Sequence, residues 1–243
     1  MPPQPGELPR AASISVFFPA FNDARSLPEL IAKTFAVLRQ YGGEFEVIVV
    51  NDGSKDATAD VLRTLQSTYG EQLRIVTHQC NLGYGAALQS GFRAAQNDLV
   101  FYTDGDGQYD VAELPLLLER MEPAVGLVNG FKIARHDAWY RALLGNAYKS
   151  VIRAAFNIKL SDVDCDFRLI RRNVLSGIDL NSTSGTICLE LVHKLEHSGI
   201  RTVEVPVHHY PRLYGRSQFF RLRPLLTTFL QLVPLFFRLK LRG

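Results

Sequence analysis

The sequence predicts an α/β fold with a Rossmann-like, mostly parallel central sheet and helices on both faces. Four short apolar runs, at 13–18, 45–50, 73–77 and 99–103, are rich in β-branched and aromatic residues. Each is nearly uninterrupted, as strands buried on both faces are. Helical periodicities separate them, and strand–helix alternation implies right-handed βαβ crossovers. A polar cluster follows each run: Asn22-Asp23, Asn51-Asp52, Gln79 with Asn81, and the acidic stretch 104–110. Ligands of such sheets bind outside the carboxyl ends of the strands. The four clusters are therefore expected to converge on one site.

The elements follow in order. Leu27, Leu30, Ile31, Thr34, Phe35 and Leu38 recur at helical spacing until Gly42-Gly43 stops the helix. A second helix spans 56–69 through Ala57, Val61, Leu62 and Leu65, with Asp56 placed to N-cap it. A third, at 86–95, follows the loop Asn81-Leu82-Gly83-Tyr84-Gly85. The second half is less regular, with strands expected at 125–130, 167–170 and 201–209 and helices at 138–156 and 186–197. There is no internal repeat, no low-complexity segment and no linker long enough to define a second domain. The expected organisation is a flexible leader (1–12), one catalytic-sized domain (13–218) and a basic amphipathic C-terminal helical segment (219–243).

Composition narrows the class. The 243 residues are long enough for one well-cored domain, and 47% hydrophobic with 21% charged residues excludes bulk disorder. Cys80, Cys165 and Cys188 form no CxxC pair, which argues against a disulfide framework or zinc site and for free thiols in a reducing cytosol. The proline-rich leader has no apolar core and is not a signal peptide. The net charge is +3, unevenly placed. No acid follows Glu204, whereas seven cations do: Arg212, Arg216, Arg221, Arg223, Arg238, Lys240 and Arg242. The body carries 20 basic residues against 24 acids, so it is mildly acidic and its end is basic and greasy. The uncharged stretch 224–237 falls short of the roughly 20 residues that cross a bilayer. It is expected to be an interfacial or core helix. No nucleic-acid partner is expected.

The chemistry concentrates in Asp104-Gly105-Asp106-Gly107-Gln108. Two carboxylates one residue apart at a strand end can both turn toward one hard cation, and Mg²⁺ or Mn²⁺ with oxygen ligands bridges readily to phosphate. A calcium loop is excluded, because Tyr109 stands at its sixth position and Pro115 at its twelfth. Asp52, in Asn51-Asp52-Gly53-Ser54, lies where it can accept from a base or ribose. The Gly83/Gly85 loop resembles a phosphate loop without its full G-x-G-x-x-G frame, since Leu88 occupies the third position. His193, His197, His208 and His209 are expected to be structural or surface residues.

Taken in order, Pro19-Ala20-Phe21-Asn22-Asp23, Asn51-Asp52-Gly53-Ser54, Asn81-x-Gly83-x-Gly85-Ala86 and Asp104-x-Asp106-x-Gln108 resemble glycosyltransferase family 2. Within it the polyprenyl-phosphate sugar synthases, the dolichol-phosphate mannose synthase type, are most similar, over about residues 13–217. The resemblance implies a GT-A fold and an inverting hexosyltransferase that uses a nucleotide-sugar, UDP- or GDP-hexose, with Mg²⁺ or Mn²⁺. It places Pro19, Phe21, Asp23, Asp52, Gly53, Asn81, Gly83, Asp104 and Asp106 at the donor, and Asp104, Asp106 and Gln108 at the metal. Asp164-Cys165-Asp166-Phe167-Arg168 is similar to the segment that begins the acceptor side, and Glu190 matches a glutamate of the following helix. Arg212, Arg216 and Ser217, with Gln218 in place of the family's lysine, resemble the acceptor-phosphate segment. Asp106, Gln108, Asp164 and Arg212 are the expected catalytic residues.

A lipid phosphate is ionised near neutral pH and attacks without a general base, so positioning and leaving-group stabilisation remain the enzyme's task. A hydroxyl acceptor such as a glycan would instead need a base, with Asp164 or Asp166 as candidates. A non-catalytic nucleotide-sugar-binding or scaffold subunit is the alternative from another class. The segment 219–243 mixes apolar residues and cations as a headgroup-level helix does. A peripheral location on the cytoplasmic face of a membrane is expected, with a membrane-protein partner or self-association compatible with it.

Overall fold

A computed structural model of the chain describes residues 12–133, 150–212 and 222–241, with side chains described over 230–239 in the last segment. The order is β1 (Ile14–Ala20), α1 (Leu27–Tyr41), β2 (Phe45–Asn51), α2 (Thr58–Tyr69), β3 (Leu73–Thr77), α3 (Tyr84–Ala94), β4 (Leu99–Thr103), α4 (Leu114–Arg120) and β5 (Val125–Ile133). Then come α5 (helical over 150–156), β6 (Phe167–Arg171), α6 (Arg172–Leu175), α7 (Thr186–His197), β7 (Arg201–His208) and α8 (Leu222–Leu241).

The strands form one seven-stranded sheet in the order β3-β2-β1-β4-β6-β5-β7. β1 pairs in parallel with both β2 and β4, and β2 with β3. β6 runs antiparallel to both β4 and β5, while β7 joins β5 in parallel. Chain order reverses at β1, whose neighbours are β2 and β4. That reversal opens a crevice beyond the carboxyl ends of β1, β2 and β4.

Side chains alternate across each strand, so β1 feeds two cores. Val16 and Phe18 meet Leu27, Ile31 and Phe35 of α1 with Leu117 of α4 on one face. Phe17 meets Leu88 of α3 and Ile187 and Leu191 of α7 on the other. The two-faced α/β class read from the sequence is the observed one.

Several local expectations need correction. The run 73–77 does not form a strand buried on both faces. Only Leu73 is buried, because β3 lies at the sheet edge. α2 begins at Thr58 with Ala57 as the capping position, and Asp56 acts from one residue earlier by accepting the Thr58 N–H at 3.0 Å. α3 starts at Tyr84, two residues before the expected position. α4 and the short α6 carry too few residues for a periodicity to show. The leader up to residue 11, most of the expected helix 138–156 and the boundary at 218 lie outside the described residues.

α8 is the expected C-terminal helix. Leu232, Leu235 and Leu239 are buried in the second core, where Phe236 meets Phe156 edge-on at 5.5 Å. Leu230, Val233 and Phe237 stay exposed. Among the described residues no helix is long and apolar enough to cross a membrane.

Candidate active site

Loops from four strand ends are tied together by hydrogen bonds. The Pro19 carbonyl, at the end of β1, accepts the Gly105 N–H at 3.2 Å, and Ser26 Oγ donates to the Gly105 carbonyl at 2.7 Å. These bonds hold the acidic loop after β4 over the end of β1. Asn22 adopts φ +60°. Its Oδ1 accepts the Lys55 N–H at 2.8 Å, and its own N–H donates to Ser54 Oγ at 3.0 Å. Asp23 Oδ2 accepts the Phe21 N–H at 2.9 Å, and the Asp23 N–H donates to Thr58 Oγ1. Burial pushes the Asp23 carboxyl up to about 6, against the Phe21 N–H and with help from the nearby Asp106 charge.

Asp52, at the end of β2, is 3% exposed. Its Oδ1 accepts from His78 Nδ1 at 2.7 Å and the Leu82 N–H at 2.8 Å, and its Oδ2 accepts the Gly83 N–H at 3.0 Å. A carboxylate offers about four acceptor directions, so one direction on Oδ2 remains. Gly83 has φ +98°, and a Cβ there would lie 2.4 Å from the Thr183 carbonyl oxygen. The Gly85 N–H donates to that same carbonyl at 2.9 Å. The glycines of the 81–85 loop are thus required by the protein's own backbone at 182–183. Glu190 of α7 holds that segment by accepting the Asn181 and Ser182 N–H groups. Burial raises the Glu190 carboxyl, but Lys194 and Ser182 outweigh burial and hold it below its usual range.

The acidic loop is crowded. Asp104 Oδ1 accepts the Tyr84 hydroxyl at 2.7 Å. Its carboxyl is pushed well above the usual range by burial, then by the charges of Asp166 and Asp106. Asp106 Oδ1 accepts the Gln108 N–H at 2.9 Å, and Arg212 donates to its Oδ2. Gln108 Nε2 donates to the Tyr210 carbonyl at 3.1 Å, and the Tyr210 N–H to the Gln108 carbonyl at 2.8 Å. Tyr109 and His209 form a bridge with rings 5.0 Å apart. The segment after β7 is therefore clipped along the acidic loop, and this clip delivers Arg212.

On the remaining side, Asp164 is exposed and Lys132 Nζ donates to its backbone carbonyl at 2.6 Å. Asp166 Oδ1 accepts the Cys188 thiol at 2.9 Å. Beneath it Arg168 is fully buried and donates to Asn129 Oδ1 at 2.6 Å, to the Tyr102 hydroxyl and to the Val163 carbonyl.

Of the residues singled out from the sequence, the structure gathers Pro19, Phe21, Asp23, Asp104, Asp106, Gln108 and Arg212 around the β1–β4 crevice. Asp52, Gly53, Asn81 and Gly83 form the adjoining wall, joined to the acidic loop through Tyr84. Asp164 lies at the approach to β6, its carbonyl bound by Lys132, and Arg216 and Ser217 lie outside the described residues. Sequence reasoning missed Tyr84 and His78. A histidine directly after β3, at the ligand edge, was the available signal. His193 is structural as expected, its Nδ1 meeting the Phe156 carbonyl at 3.0 Å.

The donor set fits a divalent cation. Two adjacent carboxylates with a third charge, Asp166, beside them favour a hard ion with oxygen ligands. Among the described residues no group of three or more His, Cys, Asp or Glu side chains is arranged to hold a metal alone. A cation here would share its ligands with a bound substrate.

Residues 15–178 match the family described as Glycosyl transferase family 2. The chain belongs to glycosyltransferase family 2. Relatives include the undecaprenyl-phosphate 4-deoxy-4-formamido-L-arabinose transferases of Aeromonas hydrophila and Edwardsiella ictaluri, each 29% identical over 206 residues. The match covers 85% of this chain and 62% of each relative, so the chain spans less than two thirds of their length. Among solved structures, glucosyl-3-phosphoglycerate synthase from Mycobacterium tuberculosis with Mn²⁺, UDP-glucose and phosphoglyceric acid superposes with a TM-score of 0.70 at 18% identity. That match covers 94% of this chain and 79% of the synthase. The same enzyme with Mg²⁺ and UDP gives 0.64 over 85% of this chain and 73% of the synthase, also at 18% identity. The fold is GT-A, as the motif order implied.

Proposed function

We propose that the protein is an inverting glycosyltransferase that moves a hexose from a nucleotide-sugar to a polyprenyl phosphate by direct attack of the lipid phosphate. The observation that carries this reading is the clip that sets Arg212 against Asp106 in the acidic loop. A site for a cation and its diphosphate then adjoins a guanidinium able to hold a second phosphate bidentately. The relatives are named as transferases to undecaprenyl phosphate, which supports the acceptor class.

Asp104 and Asp106, with Gln108 beside them, would hold Mg²⁺ or Mn²⁺, which when bound supplies Lewis-acid stabilisation of the departing diphosphate. The chain's own residues do the rest. Phe21 and Asp23 line the nucleoside side of the crevice, with Pro19 anchoring the acidic loop beneath it. The single open direction on Asp52 Oδ2 suits a base that offers one N–H. Uracil does so through N3, whereas guanine offers N1–H and N2–H together, so a UDP donor is favoured over a GDP donor. With a cation held by Asp106, Arg212 would be free to offer its N–H groups to the acceptor phosphate, a role for which Arg216 and Ser217 are the further candidates from the sequence. No proton transfer is needed, because the acceptor oxygen is already ionised and becomes the bridging oxygen. The outward row Leu230, Val233 and Phe237 on α8, with Arg238 beside it, supports contact with a membrane surface from the cytoplasmic side.

The test is direct. Purified protein is incubated with Mn²⁺, a short polyprenyl phosphate and labelled UDP- or GDP-hexoses. A labelled lipid-phosphate sugar is the expected product, strongest with a UDP donor. Absence of a lipid product with every donor tried, or transfer to a glycan instead, overturns the reading.

A further inference from the structure

We propose that His78, backed by Ser90, is a positioning residue for nucleotide binding, acting through Asp52. The inference rests on the reading that a nucleoside binds against Asp52. His78 is the first residue beyond β3, and its N–H donates to the Asn51 carbonyl at 2.9 Å, which fixes its backbone beside the end of β2. Both ring nitrogens are engaged. Nδ1 meets Asp52 Oδ1 at 2.7 Å and Nε2 meets Ser90 Oγ at 2.9 Å. The side chains of His78 and Asp52 are 10% and 4% exposed, so water competes little for these bonds. Ser90 lies on α3 and also accepts from Arg93 Nη2 at 3.2 Å. With Nδ1 carrying the proton, Nε2 accepts from the Ser90 hydroxyl, and every polar atom of the relay is satisfied.

The consequence lies in what the relay holds still. An Asp carboxylate turns readily about its last side-chain torsion, which has a broad profile. Asp52 must keep one orientation to grip the Leu82 and Gly83 N–H groups at once and to present its remaining Oδ2 acceptor direction to the nucleoside of the proposed function. Two N–H groups from one stretch of loop, bound to different oxygens, cannot by themselves fix that orientation. The ring on Oδ1 can, because it is anchored at both ends to separate elements, β3 and α3. His78 thus sets the direction from which Asp52 accepts a base, without touching the nucleotide. Hydrogen bonds that orient a ligand-binding side chain from behind act in this way.

The test compares His78→Phe, which keeps a ring and removes both hydrogen bonds, with His78→Asn, whose amide can still donate near the Nδ1 position. UDP binding in Mn²⁺ is measured by calorimetry, and KM and kcat for the donor in the transfer assay. His78→Phe is expected to weaken UDP binding and raise the donor KM by roughly 5- to 20-fold with kcat within about threefold, as the loss of one well-placed buried hydrogen bond does. His78→Asn is expected to recover most of the affinity, and Ser90→Ala to lose a smaller factor in the same direction. A purely structural histidine would lower thermal stability in both variants and leave the KM of the folded enzyme unchanged. That outcome overturns the proposal, as does an Asn variant no better than the Phe variant, or a loss confined to kcat. Should His78→Phe not fold, Ser90→Ala decides alone, and an unchanged UDP affinity overturns the proposal. Wild-type protein that binds no nucleotide at all refutes the proposed function instead, so the two failures are distinguishable.

Discussion

The two flanks of the crevice are built by different rules. On the donor flank, β1, β2 and β4 each end in a short polar motif; Asp23 and Asp106 are set by backbone N–H groups of their own motif, while Asp52 and Asp104 lean on the loop that follows β3. Asp23 takes the Phe21 N–H two residues away, and Asp106 takes the Gln108 N–H two residues away. On the acceptor flank the organising contacts join distant parts of the chain. Arg168 reaches Asn129 and Tyr102, and Arg212 reaches Asp106. A site assembled from local turns tolerates change elsewhere in the fold. One assembled from long-range buried polar contacts is tied to global stability.

The largest effect should separate chemistry from folding. Asp106→Asn is expected to lower transfer by about 100-fold or more, as loss of a transition-state electrostatic group does, and to abolish Mn²⁺ binding in calorimetry, far out of proportion to the small fall in urea midpoint from the weakened Arg212 contact. Full activity in that variant would remove Asp106 from the site.

Arg168→Leu should do the opposite. It strands the Asn129, Tyr102 and Val163 oxygens in the core, and leaving such partners unpaired costs about 3 kcal/mol. Urea denaturation is the measurement, and a change under about 1 kcal/mol would show that the acceptor flank is not so coupled to folding.

Asp23 gives a pH signature on the donor flank. Its folded value of about 6 lies above the ordinary 3.8, so the folded state binds the extra proton in that window. Stability from this group is present below pH ~4 and lost as the pH rises through ~6. Asp23→Asn is therefore expected to be more stable than wild type at pH 7 by about 1–2 kcal/mol, and equal to it near pH 4. Equal stability at both pH values would contradict the burial cost.

The smallest expected effect has an unusual sign. Arg212→Ala should impair transfer, yet bind Mn²⁺ roughly two- to fivefold more tightly without nucleotide, because the guanidinium no longer competes for Asp106 Oδ2. Weaker or unchanged Mn²⁺ binding would mean that Arg212 and the cation do not share that oxygen.

The sequence by itself determined the βαβ order, the two-faced core and the four strand-end motifs. Each of these follows from local periodicity and turn chemistry, which a run of ten or so residues already contains. Asp104, Asp106, Asp23 and Asp52 could be named because each belongs to a polar motif that follows an apolar run. What only the tertiary structure decided are the contacts between segments far apart in sequence. It seats Gly83 and Gly85 against residues 182–183, brings Arg212 onto Asp106 and turns Asp52 toward His78. It also leaves β3 as a half-exposed edge and gives α8 one buried and one open face. The reason is physical: periodicity records which face of an element is apolar, whereas hydrogen bonds between strand-end loops depend on which strands become neighbours.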